Sequence, residues 1–431
     1  MRTKNYLLGA LATGLLLFTG CSNDEDIATG NGNENAAQAF VLQVASSGDG
    51  LSTRAGRPML SSEAKQTIEN VKIIICSGST VKYAKDIADW NTSGSTAYTT
   101  GGHGREKTIE IPTANKLAAG TYTVYAFGYS NSSDYDLAAI TAIGDGSTSG
   151  TFNANTTLSF KTDATNKIGE EIFAGSYELT VVEGEGFKKP VVLNRQVAGT
   201  FGYVNEIPYI ADAAKLRLVA SDKNQQLVLG QFANFDLTGN GTGNGANVKY
   251  VINGTSSNTD KVIYSINLAD WFTTIQDTDG NGIIDVTDWK TPAAYTGAKF
   301  ATGSVFAGEF LIPFAKTAGQ TFKLELTKID DTVLRSWNVN LPTADGQLTT
   351  EYDLAKWNGT TTAFETSKVT DTKNSYNVVR NHLYGIGTRT LDNPTEPGKP
   401  DIDDPESLNN KQELTLRVND NWEVIHSMDL E

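Results

Sequence analysis

Apolar and polar positions alternate with a period of two along most of this 431-residue chain, which is the pattern of strands with one buried face. In "AFVLQVAS" the alternation puts Phe40, Leu42 and Val44 on one side. "VKIIICSG" replaces it with a nearly continuous apolar run from Val71 to Cys76, which fits a central strand with Cys76 acting as a small hydrophobe. "GTYTVYAFGYSN" alternates from Tyr122 through Phe127 and is rich in β-formers, and "EIFAGSYELTVV" and "KPVVLNRQVAGTFGYV" follow. The pattern restarts after residue 208 in "AKLRLVAS", "QQLVLG", "VKYVING", "VIYSINL", "GSVFAGEFLIPF", "TFKLELTKI" and "VLRSWNVNLP". Many short strands with Gly, Asn and Asp turns predict an all-β chain with two tandem β-sandwich domains. The divide is expected where Pro208 interrupts "NEIPYIADAA", giving domains at 55–208 and 209–390.

Helical periodicity is scarce. "SSEAKQTIEN" predicts a short turn ahead of Val71. "LADWFTTI" places Leu268, Trp271, Phe272 and Ile275 on one helical stripe that leads straight into Asp277. There "DTDGNGIIDVTD" sets Asp277, Asp279, Asn281, Asp285 and Asp288 at the first, third, fifth, ninth and twelfth places of a calcium-type loop. Gly282 would permit the sharp bend, Ile283 would offer its carbonyl, Asp285 would act through water, and Ile284 would pack inward. Asp288 stands where a bidentate Glu is usual, as in dockerin loops. A structural Ca2+ is therefore a candidate cofactor. Asp-Gly-Asn-Gly turns also form without metal, and no switching element for a sensor is visible.

The C-terminal part carries a different pattern. "TLDNPTEPGKPDIDDPES" sets Pro394, Pro397, Pro400 and Pro405 among acids, which predicts an extended, semi-rigid linker over 391–410. Two apolar segments follow in 411–431. Leu414, Leu416 and Val418 share a strand face, and Trp422, Val424, Met428 and Leu430 mark the second segment. A strand pair beyond a linker needs something to cover its apolar face and open edge.

Composition narrows the function. Apolar residues make up 39% and charged residues 20%, a globular balance, and the net charge is −15. So acidic a chain gains nothing from releasing counterions from a phosphate backbone, which argues against a nucleic-acid partner. Two cysteines, Cys21 and Cys76, cannot make a disulfide framework. The three histidines, His103, His382 and His426, sit in no catalytic frame, and no enzymatic motif stands out.

The N-terminus reads as an address. Arg2 and Lys4 precede a short apolar run from Leu7 to Phe18, the layout of a secretory signal over residues 1–20. "FTGC" is close to a bacterial lipobox, with Phe18 where Leu is commoner, and it makes Cys21 the lipid-bearing mature terminus. Acyl chains contribute about 0.8 kcal/mol per buried methylene, so multiple acylation anchors firmly. The acidic, Gly/Asn-rich stretch over 21–38 predicts a disordered tether. Residues 39–54 form the first strand and a polar segment ending at Arg54-Ala55. Arg54 suits a trypsin-like protease better than Arg57, which precedes Pro58.

Taken together, these features resemble the Bacteroidetes fimbrillins, the FimA-type subunits of type V pili. The resemblance covers nearly the whole chain. It rests on the lipobox, "STRAG", "IENVKIIIC", "LAAGTYTVYAFGYSN", "EIFAGS", "VVLNRQVAGTFGYVNEIP", "NVVRNHLYGI" and "ELTLRVNDNWEVIHSMDL". It implies two β-sandwiches of transthyretin-like, Greek-key type. It also implies an outer-membrane lipid-anchored precursor, cleavage between Arg54 and Ala55 by an Arg-specific protease, and polymerisation by strand exchange with other fimbrial subunits, in a homopolymer or a mixed filament. The C-terminal strand pair would be the donor. The calcium-type loop lies outside the family pattern. Alternatives are a tip or anchor subunit of the fimbrium, and a surface lipoprotein that binds glycans through Trp90, Trp271, Trp289 and Trp357.

Overall fold

A computed structural model describes residues 37–45, 68–97, 104–161, 170–230, 250–257, 259–295, 298–315, 322–340, 352–369, 377–389, 403–409, 413–415 and 417–419. The expected strand periodicity is realised: β-strands dominate the regular structure of the described chain, with helices of only a few residues. The first unit contains β1 (Gln38–Ala45), β2 (Asn70–Ser77), β3 (Thr80–Ile87), β4 (Thr96–Ala97), β5 (Gly104–Glu110) and β6 (Gly120–Tyr129). After β7 (Thr157–Ser159), which pairs elsewhere, β8 (Phe173–Val181) and β9 (Phe187–Arg195) complete it. The strand order is β3-β2-β6-β8-β9-β1-β5-β4. β8 and β9 pair only through Phe173–Arg195 and Ala174–Asn194, so the sheet turns a corner there. Gly175 permits that crossing, since a Cβ at this position would stand 2.0 Å from the Val192 carbonyl oxygen. The two halves enclose one apolar core that includes Phe40, Leu42, Val44, Ile73, Ile75, Val124, Val191 and Leu193.

The apolar run in β2 is explained by burial on both faces. Ile73 and Ile75 enter the inner core, while Ile74 and Cys76 pack outward with Tyr135, Phe152 and Leu158. Burial pushes the Cys76 thiol up to about 11, so it stays protonated and acts as a hydrophobe. The outward cluster runs without interruption into the core of the second unit.

In that unit, β10 (Ala198–Asn205) lies between β16 (Val305–Leu311) and β23 (Leu383–Ile386). The facing sheet is built from β11 (Lys215–Ala220), β15 (Val262–Asn267), β18 (Phe322–Thr327) and β19 (Val333–Asn340). Leu216, Leu218, Leu324 and Trp337 from this sheet share one core with Phe201, Phe306 and Tyr384 from the other. Smaller ladders flank it. β12 (Asn224–Val228) joins β7 to β14 (Gly254–Ser257), and β20 (Tyr352–Asn358) joins β13 (Tyr250–Ile252) to β21 (Ala363–Val369). β17 (Phe314–Ala315) pairs β22 (Asn377–Val378), and β24 (Thr388–Arg389) pairs β25 (Asp403–Asp404).

Three expectations are corrected. The divide is not at Pro208. β9 ends in the first unit at Arg195, and β10, two residues on, already pairs with β16 and β23 of the second. The break at Gln196-Val197 carries neither Gly nor Pro, so composition does not mark it. The linker over 391–410 is not all linker: β25 pairs with β24, β26 (Glu406–Ser407) pairs parallel to β10, and Leu408 is fully buried. The helix at "LADWFTTI" ends after one turn, Leu268–Trp271, capped by the Asn267 side chain. Phe272 then bridges to Trp289, which draws the backbone into extended form. The turn predicted at "SSEAKQTIEN" lies mostly outside the described residues.

Candidate functional site

β1 lies inside its sheet rather than at an edge. It runs antiparallel to β5 over Ala39–Ala45 and parallel to β9 over Gln38–Val44. Phe40, Leu42 and Val44 are fully buried, and the Phe40 ring lies 5.1 Å from that of Phe187. Gln38 anchors the start of the strand. Its Nε2 donates to the Leu117 carbonyl at 3.0 Å, and its Oε1 accepts from the Leu117 N–H at 2.8 Å. On the outer face, Gln43 Nε2 donates to Glu106 at 3.4 Å. Taking this strand away would uncover three apolar sites, each worth roughly 1.5–3 kcal/mol of burial. It would also leave two rows of unpaired backbone groups, one on each side. Arg54 and Ala55 fall between Ala45 and Ile68, outside the described residues, as does Cys21.

The C-terminal segment is divided between two sheets. β27 (Glu413–Thr415) runs parallel to β19 at Asn338–Asn340, and Leu414 is buried. β28 (Arg417–Asn419) runs antiparallel to β23 at Leu383–Gly385. Leu416, Trp422, Val424, Met428 and Leu430 lie outside the described residues, and the side chain of Val418 is not described.

The acidic loop is closed at its base. The Thr273 N–H donates to the Asp288 carbonyl at 2.8 Å, and the Lys290 N–H donates to the Trp271 carbonyl at 2.7 Å. Its far side is tied to the preceding chain: the Ile284 N–H donates to the Ile207 carbonyl and the Tyr209 N–H to the Gly282 carbonyl. Ile284 is buried, and Gly282 has φ +83°. Asp277, Asp279 and Asp285 bring one carboxylate oxygen each within 4.8 Å of the others. The Asp277 carboxylate accepts from the N–H groups of Asn281 and Gly282 at 3.0 and 2.9 Å. Asp285 accepts from Thr278 N and Oγ1. Asn281 Oδ1 accepts from the Ile283 N–H at 2.9 Å. Asp288 stands apart, accepting from Thr273 Oγ1 at 2.9 Å and from Gln276 Nε2 at 3.0 Å. Hydrogen bonds from Thr274, Thr273 and Gln276 hold its carboxyl below the ordinary aspartate range.

Several buried polar residues carry no sequence signal. Gln38 is one. Arg195 is another: it is fully buried, donates to Glu171, and lies against the rings of Phe173 at 4.9 Å and Phe310 at 5.7 Å, one from each unit. Arg380 donates to Gln196 Oε1 at 3.1 Å, and Asn253 Nδ2 donates to the Gln196 carbonyl, also at 3.1 Å. Arg195 and Arg380 break apolar stretches with a charge, but that pattern names no partner. Of the tryptophans considered as a sugar platform, Trp90, Trp271 and Trp357 are core residues, and Trp289 is partly buried with its Nε1 on the Ser304 carbonyl.

No family model matches the chain, and no curated protein matches it. Solved structures do. A fimbrilin (FimA) of Porphyromonas gingivalis W83 matches with TM-score 0.37 and 12% identity, over 89% of this chain and 97% of that one. The tip fimbrial protein Mfa3 of the same species, truncated at its C-terminus, matches with TM-score 0.36 and 11% identity, over 89% and 99%. A fimbrial assembly protein of Parabacteroides distasonis ATCC 8503 matches with TM-score 0.34 and 9% identity, over 79% and 98%.

Proposed function

We propose that this chain is the structural subunit of a surface fimbrium that supports adhesion. It is exported as an outer-membrane lipoprotein on Cys21, cut after Arg54 by an Arg-specific protease, and polymerised by donor-strand exchange. The observation that carries the reading is the position of β1. An N-terminal strand that lies between two partners and fills an apolar core leaves, once cut loose, a slot that another strand can occupy by β-augmentation. Arg54 stands in the segment between β1 and β2, so cleavage there keeps the strand only by non-covalent contacts and frees the fold from its lipid. Head-to-tail repetition of such a contact builds an open filament rather than a ring. Stalk is favoured over tip or anchor because the chain carries both a removable strand and a C-terminal segment able to donate. The glycan-binding alternative loses its support with the burial of three of its four tryptophans. The loop at 277–288 is proposed as a weak extracellular-type calcium clip on Asp277, Asp279 and Asp285, stiffening the subunit rather than switching it.

Arg54→Ala tests the assembly reading. The expected product is an uncleaved, membrane-bound monomer, against wild-type filaments that begin at Ala55. Normal filaments from the variant would refute processing at this arginine.

A further inference from the structure

The strand that fills the slot and the segment proposed to replace it carry the same inward pattern. β1 reads "QAFVLQVA" from Gln38, and the C-terminal segment reads "QELTLRVN" from Gln412. Position for position, Gln412 matches Gln38, Leu414 matches Phe40, Leu416 matches Leu42, and Val418 matches Val44. We infer that residues 412–419 of a second copy enter the slot in the register of β1, parallel to β9, with Gln412 taking over the Gln38 clamp on the Leu117 backbone. The inference rests on the strand-exchange reading above and adds the donor segment, its direction and its register.

Two of the three outward positions agree. In this register Arg417 takes the place of Gln43, whose register partner is Glu106 and whose amide already donates to that carboxylate. Thr415 takes the place of Val41, opposite Thr108. Glu413 takes the place of Ala39, which is buried, opposite Lys188 on one side and Glu110 on the other; it is the position of this register that fits least well, with the Lys188 ammonium as its counter-charge.

Other registers fail on burial. A slip of one residue turns Glu413, Thr415, Arg417 and Asn419 into the core. A slip of two in one direction sets Asp420 in the place of Val44 and Leu414 in that of Gln38. That buries a carboxylate and leaves the Leu117 N–H and carbonyl unpaired. A slip of two in the other direction puts Gln412 in the apolar site of Phe40. The second C-terminal segment fits less well. With Trp422 in the place of Phe40, Asp420 meets the clamp and can only accept, and His426 falls in the site of Val44.

The segment also stands to gain pairing. In its own chain it pairs over Glu413–Thr415 with β19 and over Arg417–Asn419 with β23, two short ladders in different sheets. The β1 slot offers continuous ladders on both sides over the whole length of the strand.

The test mixes two full-length chains, Thr108→Cys and Thr415→Cys, matures them with an Arg-specific protease and oxidises them mildly. Directly opposed strand residues stand within the Cα separation that a disulfide requires. The expected result is a covalent dimer on a non-reducing gel. It should be strongest for Thr415→Cys and lost or much weaker for Glu413→Cys, Arg417→Cys and Glu423→Cys, which report two-residue slips and the second segment. Gln412→Leu should leave the precursor folded on its own β1 while its filaments dissociate faster than wild type. A strongest cross-link at 413, 417 or 423 would overturn the register while leaving strand exchange standing. Unchanged filaments from Gln412→Leu would overturn the clamp. If processed wild-type chains form no polymer at all, the assembly reading fails and this inference falls with it.

Discussion

Glu171 and Arg195 form an ion pair shielded from water at the seam of the two units, with the guanidinium lying against Phe173 on one side and Phe310 on the other. Two charges out of water hold one another in place, and deleting one leaves the other buried without its counter-charge. Such deletions destabilise by roughly 3–5 kcal/mol. Glu171→Ala is accordingly expected to lower the urea midpoint at unchanged slope, the shift times the slope amounting to that free energy, and a loss under about 1 kcal/mol would refute the role. Neither residue was legible as a pair. Glu171 and Arg195 lie 24 positions apart, and Gln38 meets the Leu117 backbone 79 positions away. Periodicity records which face a residue occupies; it does not record the partner that the fold brings to that face. Phe40, Leu42 and Val44 needed no partner to be placed, because alternation alone set their side.

At the level of elements, strands were legible wherever one face met a core, and β2 was legible as central from its unbroken apolar run. What misled were local signals that tertiary pairing overrode. Pro208 looked like a boundary, but the Ile207–Tyr209 segment is held against the acidic loop and the true break comes earlier, at an unmarked pair of residues. Prolines and acids made 391–410 look unpaired, yet Leu408 is a core residue and Asp403 reaches Tyr203 and Arg389. The acidic loop shows both outcomes. Gly282 makes the bend and Ile284 packs inward, but Asp285, expected to act through water, brings its carboxylate directly beside Asp277 and Asp279, the Asn281 oxygen accepts from the Ile283 N–H, and Asp288 is engaged by Thr273 and Gln276. Three close carboxylates attract a cation. Millimolar calcium is therefore expected to raise the melting temperature and a chelator to reverse the rise, with Asp277→Ala insensitive to both. Identical melting curves with calcium and with chelator would remove the metal from this loop.

On the scale of the whole molecule, the first unit keeps an inner core of its own, but its outer face shares a core with the second unit. The outward face of β2 and β6 packs into the same cluster as Leu218, Phe306 and Trp337, β7 pairs with β12, and Arg195 touches both units. An interface built as a core couples the stability of its halves, unlike the polar seams that let domains move and melt apart. The intact chain is expected to unfold in one calorimetric transition, with amide exchange in β2 and in β18 slowing together; two resolved transitions would show the units to be independent. Cleavage after Arg54 should then change the behaviour in a graded way. β1 contributes only to the inner core of the first unit, between Phe40, Leu42, Val44 and the facing Ile73 and Val124, and not to the shared cluster. Once the cut strand is diluted away, exchange should accelerate first in β5 and β9, which lose their partner, and least in β11 and β18. A synthetic peptide of residues 38–45 should restore the original protection, since it restores both ladders and the Gln38 clamp. If protection in β5 and β9 is unaffected by loss of β1, the slot has closed on itself, and a subunit that heals its own gap has no need of a neighbour's strand.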